Sequence, residues 1–95
     1  MLIDAPAAER AFVAVVIEND AVQLEGVRTA AALRHAGIAV EVIATGSPRK
    51  RYDRAVKLAP AAILSLDQSD GVTTRRFKQV GATVGDVEGV LATLA

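Results

Sequence analysis

A run of six apolar residues, Phe12–Ile17, constrains the fold of this chain more than any other feature. The run is rich in β-branched side chains and shows no alternation with polar residues, so other parts of the protein must cover both of its faces. It is much too short to cross a membrane as a helix. It therefore predicts a central strand of a parallel sheet.

The polar residues after this strand predict a helix. Asn19 or Asp20 can accept hydrogen bonds from the first free N–H groups of a helix that runs to about Ala36, where Gly37 ends it. The helical period places four small or apolar residues on one side, which we expect to face the core. They are Val22, Gly26, Ala30 and Leu33.

The next segment predicts a second strand and a second helix. The strand covers Ile38–Ala44 and alternates only weakly, which favours a position nearer a sheet edge. Ser47 is a suitable N-cap and Pro48 a suitable first residue for a helix that ends before Pro60. We expect its buried side to comprise Tyr52, Ala55, Leu58 and Ala59, with Val56 at the margin.

The last third predicts a hairpin followed by a helix. Ala61–Leu66 is a short apolar strand, and the Asp-Gly pair at Asp70 predicts a tight turn. Val72–Lys78 should be an exposed strand with a bulge or a twisted edge, because Val72 and Phe77 have opposite parity. Gly81–Val84 could add a very short strand, and Val87–Leu94 has the spacing of a helix.

This order of elements predicts one α/β domain over residues 1–95, in which residues 1–10 are an N-terminal extension or linker. Strands that alternate with helices favour right-handed crossovers and a parallel sheet covered on both faces. We predict a three-layer α/β/α fold with a mixed, mainly parallel sheet of about five strands and three helices.

Charge is unevenly distributed along the chain. Eleven basic and eleven acidic residues give a formal net charge of zero. Residues 49–78 nevertheless have a net charge of +5, against −3 before them and −2 after them. Because salt screens charges beyond roughly 8 Å, a ligand responds to the local patch more than to the sum. The zero excludes a uniformly basic coat but not a nucleic-acid partner.

Several chemistries are excluded by residues that are missing or badly placed. The chain has no Cys, its three Ser lie outside any G-x-S-x-G turn, and its one His, His35, lies late in a predicted helix. There is no metal-ligand spacing and no dinucleotide fingerprint. We therefore predict no catalytic residue, no metal and no cofactor. The N-terminal residues lack a basic signal-peptide start and no membrane span is present, so we expect a cytoplasmic protein.

The junction between the second strand and the second helix could bind an anion. Gly46 and Ser47 precede a helix N-terminus, and Arg49, Lys50 and Arg51 follow immediately. Free N–H groups and cations together suit a phosphate. The alternative is an ordinary solvated basic face.

A second apolar stripe lies on the first helix, nearly opposite the core stripe. It consists of Leu24, Val27 and Ala31. These residues are either scattered surface aliphatics, which are common, or a docking face for another domain or subunit.

Several local strings resemble the anticodon-binding domain of class II aminoacyl-tRNA synthetases, and most closely the C-terminal domain of histidyl-tRNA synthetase. Leu33-Arg34-His35-Ala36-Gly37-Ile38 resembles the family's "LR-x-x-G-I" step. The basic entry into the second helix and the Asp53–Ala59 segment are similar to its "K-K-x-x-x-x-A-D-K-x-G" helix. The resemblance covers roughly residues 12–94.

The resemblance implies a non-catalytic domain that binds the anticodon stem-loop of a tRNA and that accompanies a separate catalytic domain. Two alternatives stay open: a synthetase-derived interaction or homodimerisation domain, and a regulatory domain that binds a small anion or nucleotide. The basic third supplies the candidate RNA-binding residues, namely Arg49, Lys50, Arg51, Arg54, Lys57, Arg75 and Arg76.

Overall fold

A computed structural model describes residues 11–81 and 84–94. Within them, four strands form one sheet in the order β2-β1-β3-β4, with parallel β1–β2 and β1–β3 pairs and an antiparallel β3–β4 pair. The elements are β1 (Val13–Ile17), a 3-10 turn (Asp20–Val22), α1 (Gln23–His35), β2 (Val40–Ile43), α2 (Pro48–Lys57), β3 (Ala62–Ser69), β4 (Val72–Gln79) and α3 (Val87–Thr93).

The predicted α/β fold is confirmed, with four strands in place of about five. The short strand predicted at Gly81–Val84 falls partly on residues 82 and 83, which lie outside the described residues. The predicted central strand is also confirmed: every residue of β1 is fully buried between two parallel neighbours. β2 lies at one edge of the sheet, as its weak alternation indicates.

Helices cover both faces of the sheet. The side chains of Val13, Val15 and Ile17 point to one face and pack with α1 and α3, while Ala14 and Val16 point to the other and pack with α2. Strand alternation therefore divides the interior into two clusters. None of the helices in the described ranges is long and apolar enough to cross a membrane.

The core stripe of α1 is confirmed. Val22, Gly26, Ala30 and Leu33 are all buried. Gly26 lies so close to β1 that a Cβ there would collide with the Ile17 side chain. Gly37 ends the segment with a φ of 86°, in the left-handed region that glycine adopts without strain.

The bulge predicted in β4 is wrong. Each residue from Val72 to Gln79 pairs with one residue of β3, and the hairpin turns at Asp70 and Gly71, with φ values of 53° and 78°. Two consecutive positive φ values match the twist of antiparallel strands. Val72 and Phe77 differ in parity simply because Val72 is exposed on one face, while Phe77 packs against the core on the other.

The buried side of α2 also differs from the prediction. Leu58 and Ala59 are exposed because the helix ends at Lys57, and Ala59 has a φ of 53°. A residue before proline is disfavoured in the right-handed helical region, so the helix ends before the buried Pro60 and the chain leads into β3. Ala55 is fully buried as expected, and Arg51 is 4% exposed instead of Leu58.

Candidate functional site

A cavity of about 270 Å³ lies between α2 and the uncovered part of the sheet. It forms because α2 packs mainly over β1 and β2 and leaves the same face of β4 open. We call it the β4 cavity. Its lining residues are Glu18, Tyr52, Ile63, Ser65, Arg76 and Lys78.

The hairpin register aims two cations into this cavity. Arg76 pairs with Ser65, and Lys78 pairs with Ile63. Ile63 belongs to the cluster under α2, and paired residues of an antiparallel ladder point to the same face. Arg76 and Lys78 therefore share the α2 face of the sheet, as the charge distribution alone could not establish.

Glu18 supplies a carboxylate at the opposite side of the cavity. It directly follows β1, and its backbone N–H donates to the Leu66 carbonyl at 2.8 Å. This holds the residue at the carboxyl ends of the two central parallel strands, where open α/β sheets commonly bind ligands. Among the described residues, the side chains of Glu18, Arg76 and Lys78 form neither a hydrogen bond nor an ion pair.

Arg75 faces the opposite side of the sheet. Its Nη2 lies 3.5 Å from a carboxylate oxygen of Glu25 on α1, and its Nε is buried without an acceptor among the described residues. Neighbouring arginines of β4 therefore serve different faces. Arg75 joins β4 to α1, and it is not in the set of cations around the β4 cavity.

Four cations on α2 are exposed: Arg49, Lys50, Arg54 and Lys57. At about 100° per residue, Arg49 lies on the same side of the helix as Tyr52, toward the cavity. Arg54 lies on the other side, where its Nη1 donates to the Thr45 carbonyl at 3.0 Å. Together with Arg76 and Lys78, these residues make one side of the domain basic.

Arg51 occupies a different environment from the other α2 cations. Its Nη1 donates to the Ile17 carbonyl at 2.7 Å, and its Nε and Nη2 donate to the Gly46 carbonyl at 3.3 and 3.1 Å. Nη2 also lies 3.0 Å from an Asp20 carboxylate oxygen. The guanidinium thereby joins the loop after β1 to the loop after β2.

The contact with Arg51 changes the pKa of the Asp20 carboxyl. The hydrogen bond from Arg51 lowers the pKa of the Asp20 carboxyl below its ordinary value of 3.8, with smaller contributions from the Gln23 side chain and from the charge of Arg51. Asp20 is itself exposed, so it forms the solvent side of this junction.

The predicted anion-binding junction is partly occupied by this arrangement. Gly46 has a φ of 84°, and its carbonyl accepts from Arg51. Ser47 precedes α2 with an extended backbone, but its hydroxyl makes no capping hydrogen bond. Arg49 and Lys50 remain exposed at the start of the helix, so anion binding there stays a prediction.

The second apolar stripe of α1 is exposed. Leu24 is 68% exposed and Val27 58% exposed, and Ala31 is also exposed. These residues lie on the side of α1 that is turned away from the sheet. Both interpretations of the stripe stay open, since solitary surface aliphatics are common.

Sequence reasoning missed Glu18, Ser65 and Lys78 as site residues and assigned Tyr52 to the core. Tyr52 is half-buried and packs against the core cluster under α2, as predicted, and it also forms one wall of the cavity. A signal for Glu18 was present, because a charged residue directly after the central strand lies where parallel sheets bind ligands. In the part of the chain that the structure describes, no three His, Cys, Asp or Glu side chains are grouped so that they could hold a metal ion.

The fold and the site together define a small three-layer α/β module with a basic side and one cavity that mixes cations with a carboxylate. No protein-family model matches the chain. The chain is 41% identical over 78 residues to the histidine–tRNA ligase of Novosphingobium aromaticivorans. That match covers 82% of this chain and 19% of the ligase, so the chain spans about a fifth of its relative. The resemblance to histidyl-tRNA synthetase is confirmed, and the chain is similar to one part of that enzyme.

Proposed function

We propose that this chain is the anticodon-binding domain of a histidyl-tRNA-synthetase-like protein and that it is non-catalytic by itself. The observation that carries the proposal is the pair of unneutralised cations on β4, Arg76 and Lys78, beside the exposed cations of α2. Lys and Arg side chains that are free of protein carboxylates are available to neutralise RNA phosphates. The similarity to a histidine–tRNA ligase supports tRNA as the RNA.

The proposed RNA-binding surface keeps five of the residues predicted from the sequence and adds Lys78. Arg51 is left out because it is buried, and Arg75 because it pairs with the Glu25 carboxylate on the other face of the sheet. Arg54 is retained because it is exposed, although its guanidinium also donates to the Thr45 carbonyl. The retained residues are Arg49, Lys50, Arg54, Lys57 and Arg76. The partners of this surface would be the anticodon stem-loop of a tRNA and, elsewhere on the domain, a catalytic domain.

The test is tRNA binding by the purified chain over a range of salt concentrations. Arg76→Ala combined with Lys78→Ala should weaken binding about tenfold or more. It should also reduce the slope of log K against log [salt] by about one for each phosphate that the variant no longer neutralises. The matched control is Arg28→Ala with Arg34→Ala, which removes the same charge from α1 on the other side of the sheet. Equal effects of the two double variants would contradict the proposed surface.

A second candidate function has its own supporting observation. The exposed stripe of Leu24 and Val27 on α1 lies on the opposite side of the domain from the β4 cavity. Such a stripe could dock a second copy of the chain or a catalytic domain without competing with tRNA. This interaction would accompany RNA binding if both occur.

A further inference from the structure

We propose that the outer edge of β4 binds an extended acidic segment of another protein as an additional strand of the sheet. We call the outer side of Val72–Gln79 the β4 edge. The inference goes beyond the proposed function, because it concerns a protein partner and does not depend on RNA binding. It starts from the position of β4, which is the outermost strand in the order β2-β1-β3-β4 and, within the described residues, pairs only with β3.

The register of the hairpin shows which backbone groups the β4 edge presents. In an antiparallel pair, residues whose N–H and C=O bond the partner strand alternate with residues whose N–H and C=O point away from it. The Val80 N–H donates to the Ala61 carbonyl at 2.8 Å, so the even-numbered residues of β4 are the ones that bond β3. The N–H and C=O groups of Thr73, Arg75 and Phe77 therefore point outward. A row of such groups is a template for another strand.

The backbone of β4 lacks the features that usually prevent strand addition. Natural edge strands are commonly short, bulged, interrupted by proline or covered. β4 has eight residues, contains no proline and pairs with β3 without a bulge. It does carry three cations, Arg75, Arg76 and Lys78. These disfavour pairing with β4 of a second copy, because like charges would lie across from each other, and they favour an acidic strand.

The α2 face of the sheet determines where the acidic residues of the added strand lie. Arg76 and Lys78 are exposed on this face, two residues apart, and no carboxylate of the described residues lies within ion-pair distance of them. Side chains that lie across from each other in neighbouring strands point to the same face. Carboxylates at positions i and i+2 of the added strand would therefore meet both cations.

The opposite face of the sheet favours apolar residues at the positions between. On that face Arg75 is already paired with Glu25, and Phe77 packs against the core. A second cavity, of about 260 Å³, adjoins Phe77 and is also lined by Asp86 and Glu88, which would repel a further carboxylate. An apolar side chain of the added strand can pack against Phe77 there. A sequence that alternates acidic and apolar residues thus matches both faces.

The experiment measures the affinity of the intact chain for two fluorescein-labelled heptapeptides by fluorescence anisotropy, without RNA. The alternating peptide, Thr-Val-Glu-Val-Glu-Val-Thr, places both carboxylates on one face of a strand. Its isomer, Thr-Val-Glu-Glu-Val-Val-Thr, has the same composition and net charge but places them on opposite faces. We expect the wild-type chain to bind the alternating peptide about tenfold more tightly, because the isomer loses one charge pair and one apolar contact.

The variant Thr73→Pro tests the backbone of the β4 edge. It removes an N–H that points away from β3, and an edge strand tolerates proline at such a position because the ladder with β3 loses no hydrogen bond. We expect it to bind the alternating peptide about tenfold or more weakly than the wild-type chain. Thr73→Val keeps the N–H, so it is the matched control and should bind like the wild-type chain. Thermal unfolding checks that both variants fold, and the comparison of the two peptides tests the inference on the wild-type chain alone.

Several results would overturn the inference. Equal affinity of the wild-type chain for the two peptides would do so, as would unchanged affinity of Thr73→Pro for the alternating peptide. If Thr73→Pro weakened tRNA binding as much as peptide binding, the β4 edge would belong to the RNA-binding surface instead. A wild-type dimer that Thr73→Pro dissociates would assign the edge to a second copy of the chain.

Failure of the proposed function is distinguishable from failure of this inference. The peptides are measured without RNA, so a wild-type chain that does not bind tRNA but prefers the alternating peptide would contradict the proposed function and support strand addition. Arg76 and Lys78 belong to both surfaces, whereas Thr73 lies outside the proposed RNA-binding set. Thr73→Pro should therefore leave tRNA affinity unchanged.

Discussion

Replacing Arg51 with methionine should destabilise the domain strongly, although the other basic residues of α2 are exposed. Methionine keeps most of the aliphatic volume but removes every donor. The Ile17 carbonyl, which accepts from Arg51 at 2.7 Å at a fully buried residue, loses a charged donor. The Gly46 carbonyl and the Asp20 carboxylate also lose their guanidinium donor, but both lie at positions that water can reach.

The cost follows from these hydrogen bonds. Removing a charged donor from a buried carbonyl costs about 1.5–3 kcal/mol, and the loss of the hydrogen bonds to the exposed Gly46 carbonyl adds about 0.5–1 kcal/mol. The expected decrease in the free energy of unfolding is therefore about 2–4 kcal/mol, a large share of the roughly 5–15 kcal/mol that stabilises a domain. For a domain of this size it corresponds to a fall in Tm of about 10–30 °C.

Urea unfolding followed by circular dichroism measures this decrease. The control is Arg54→Met on the same helix, where an exposed guanidinium donates to the Thr45 carbonyl, and it should cost less than about 1 kcal/mol. The loss of these hydrogen bonds is opposed by a stabilising effect, because removing a buried cation also removes the cost of its desolvation. An Arg51→Met variant as stable as Arg54→Met would show that this relief cancels the missing hydrogen bonds, and our account of Arg51 would be refuted.

Two further predictions concern Asp20 and the stripe on α1. Arg51 lowers the pKa of the Asp20 carboxyl from 3.8, so the ionised carboxylate stabilises the folded state. This stabilisation is complete above pH 3.8, and it is lost as the pH falls through the lower pKa that Asp20 has in the folded state. Asp20→Asn should therefore reduce the free energy of unfolding at pH 7 and leave it unchanged at a pH below the folded pKa. Urea titrations at both pH values measure this difference, and an equal effect at the two pH values would contradict the stabilising role of the Asp20 carboxylate. Val27→Glu should shift a dimer toward monomer in sedimentation without lowering Tm, because Val27 is 58% exposed; a wild-type chain that is monomeric at high concentration would remove the case for self-association.

Local patterns predicted those parts of the fold that depend on neighbours in sequence. The apolar run of β1, the core stripe of α1 and the glycine at the end of α1 follow from strand and helix periods and from glycine's tolerance of positive φ. The Asp70-Gly71 turn follows from its composition for the same reason.

The candidate site was harder to predict because it depends on register and on distant backbone. Arg51 is buried because the carbonyls of Ile17, at the end of β1, and Gly46, in the loop after β2, converge on one point next to α2. The β4 cavity requires Arg76 to pair with Ser65. A shift of one residue in this register would turn the Arg76 side chain to the other face of the sheet. Arg75 and Arg76 are neighbours in the charge distribution along the sequence, but successive side chains of a strand point to opposite faces of the sheet.

That alternation restricts how the hairpin can change length during evolution. Insertion or deletion of one residue in the Asp70-Gly71 turn that shifted β4 by one position would turn Arg76 toward Glu25 and Arg75 into the cavity. It would also move the Phe77 side chain from the core to the open face. A shift of two positions would leave every side chain of β4 on the same face of the sheet as before. Descendants of this sequence should therefore vary the length of this hairpin in even steps, or else compensate an odd step with a bulge.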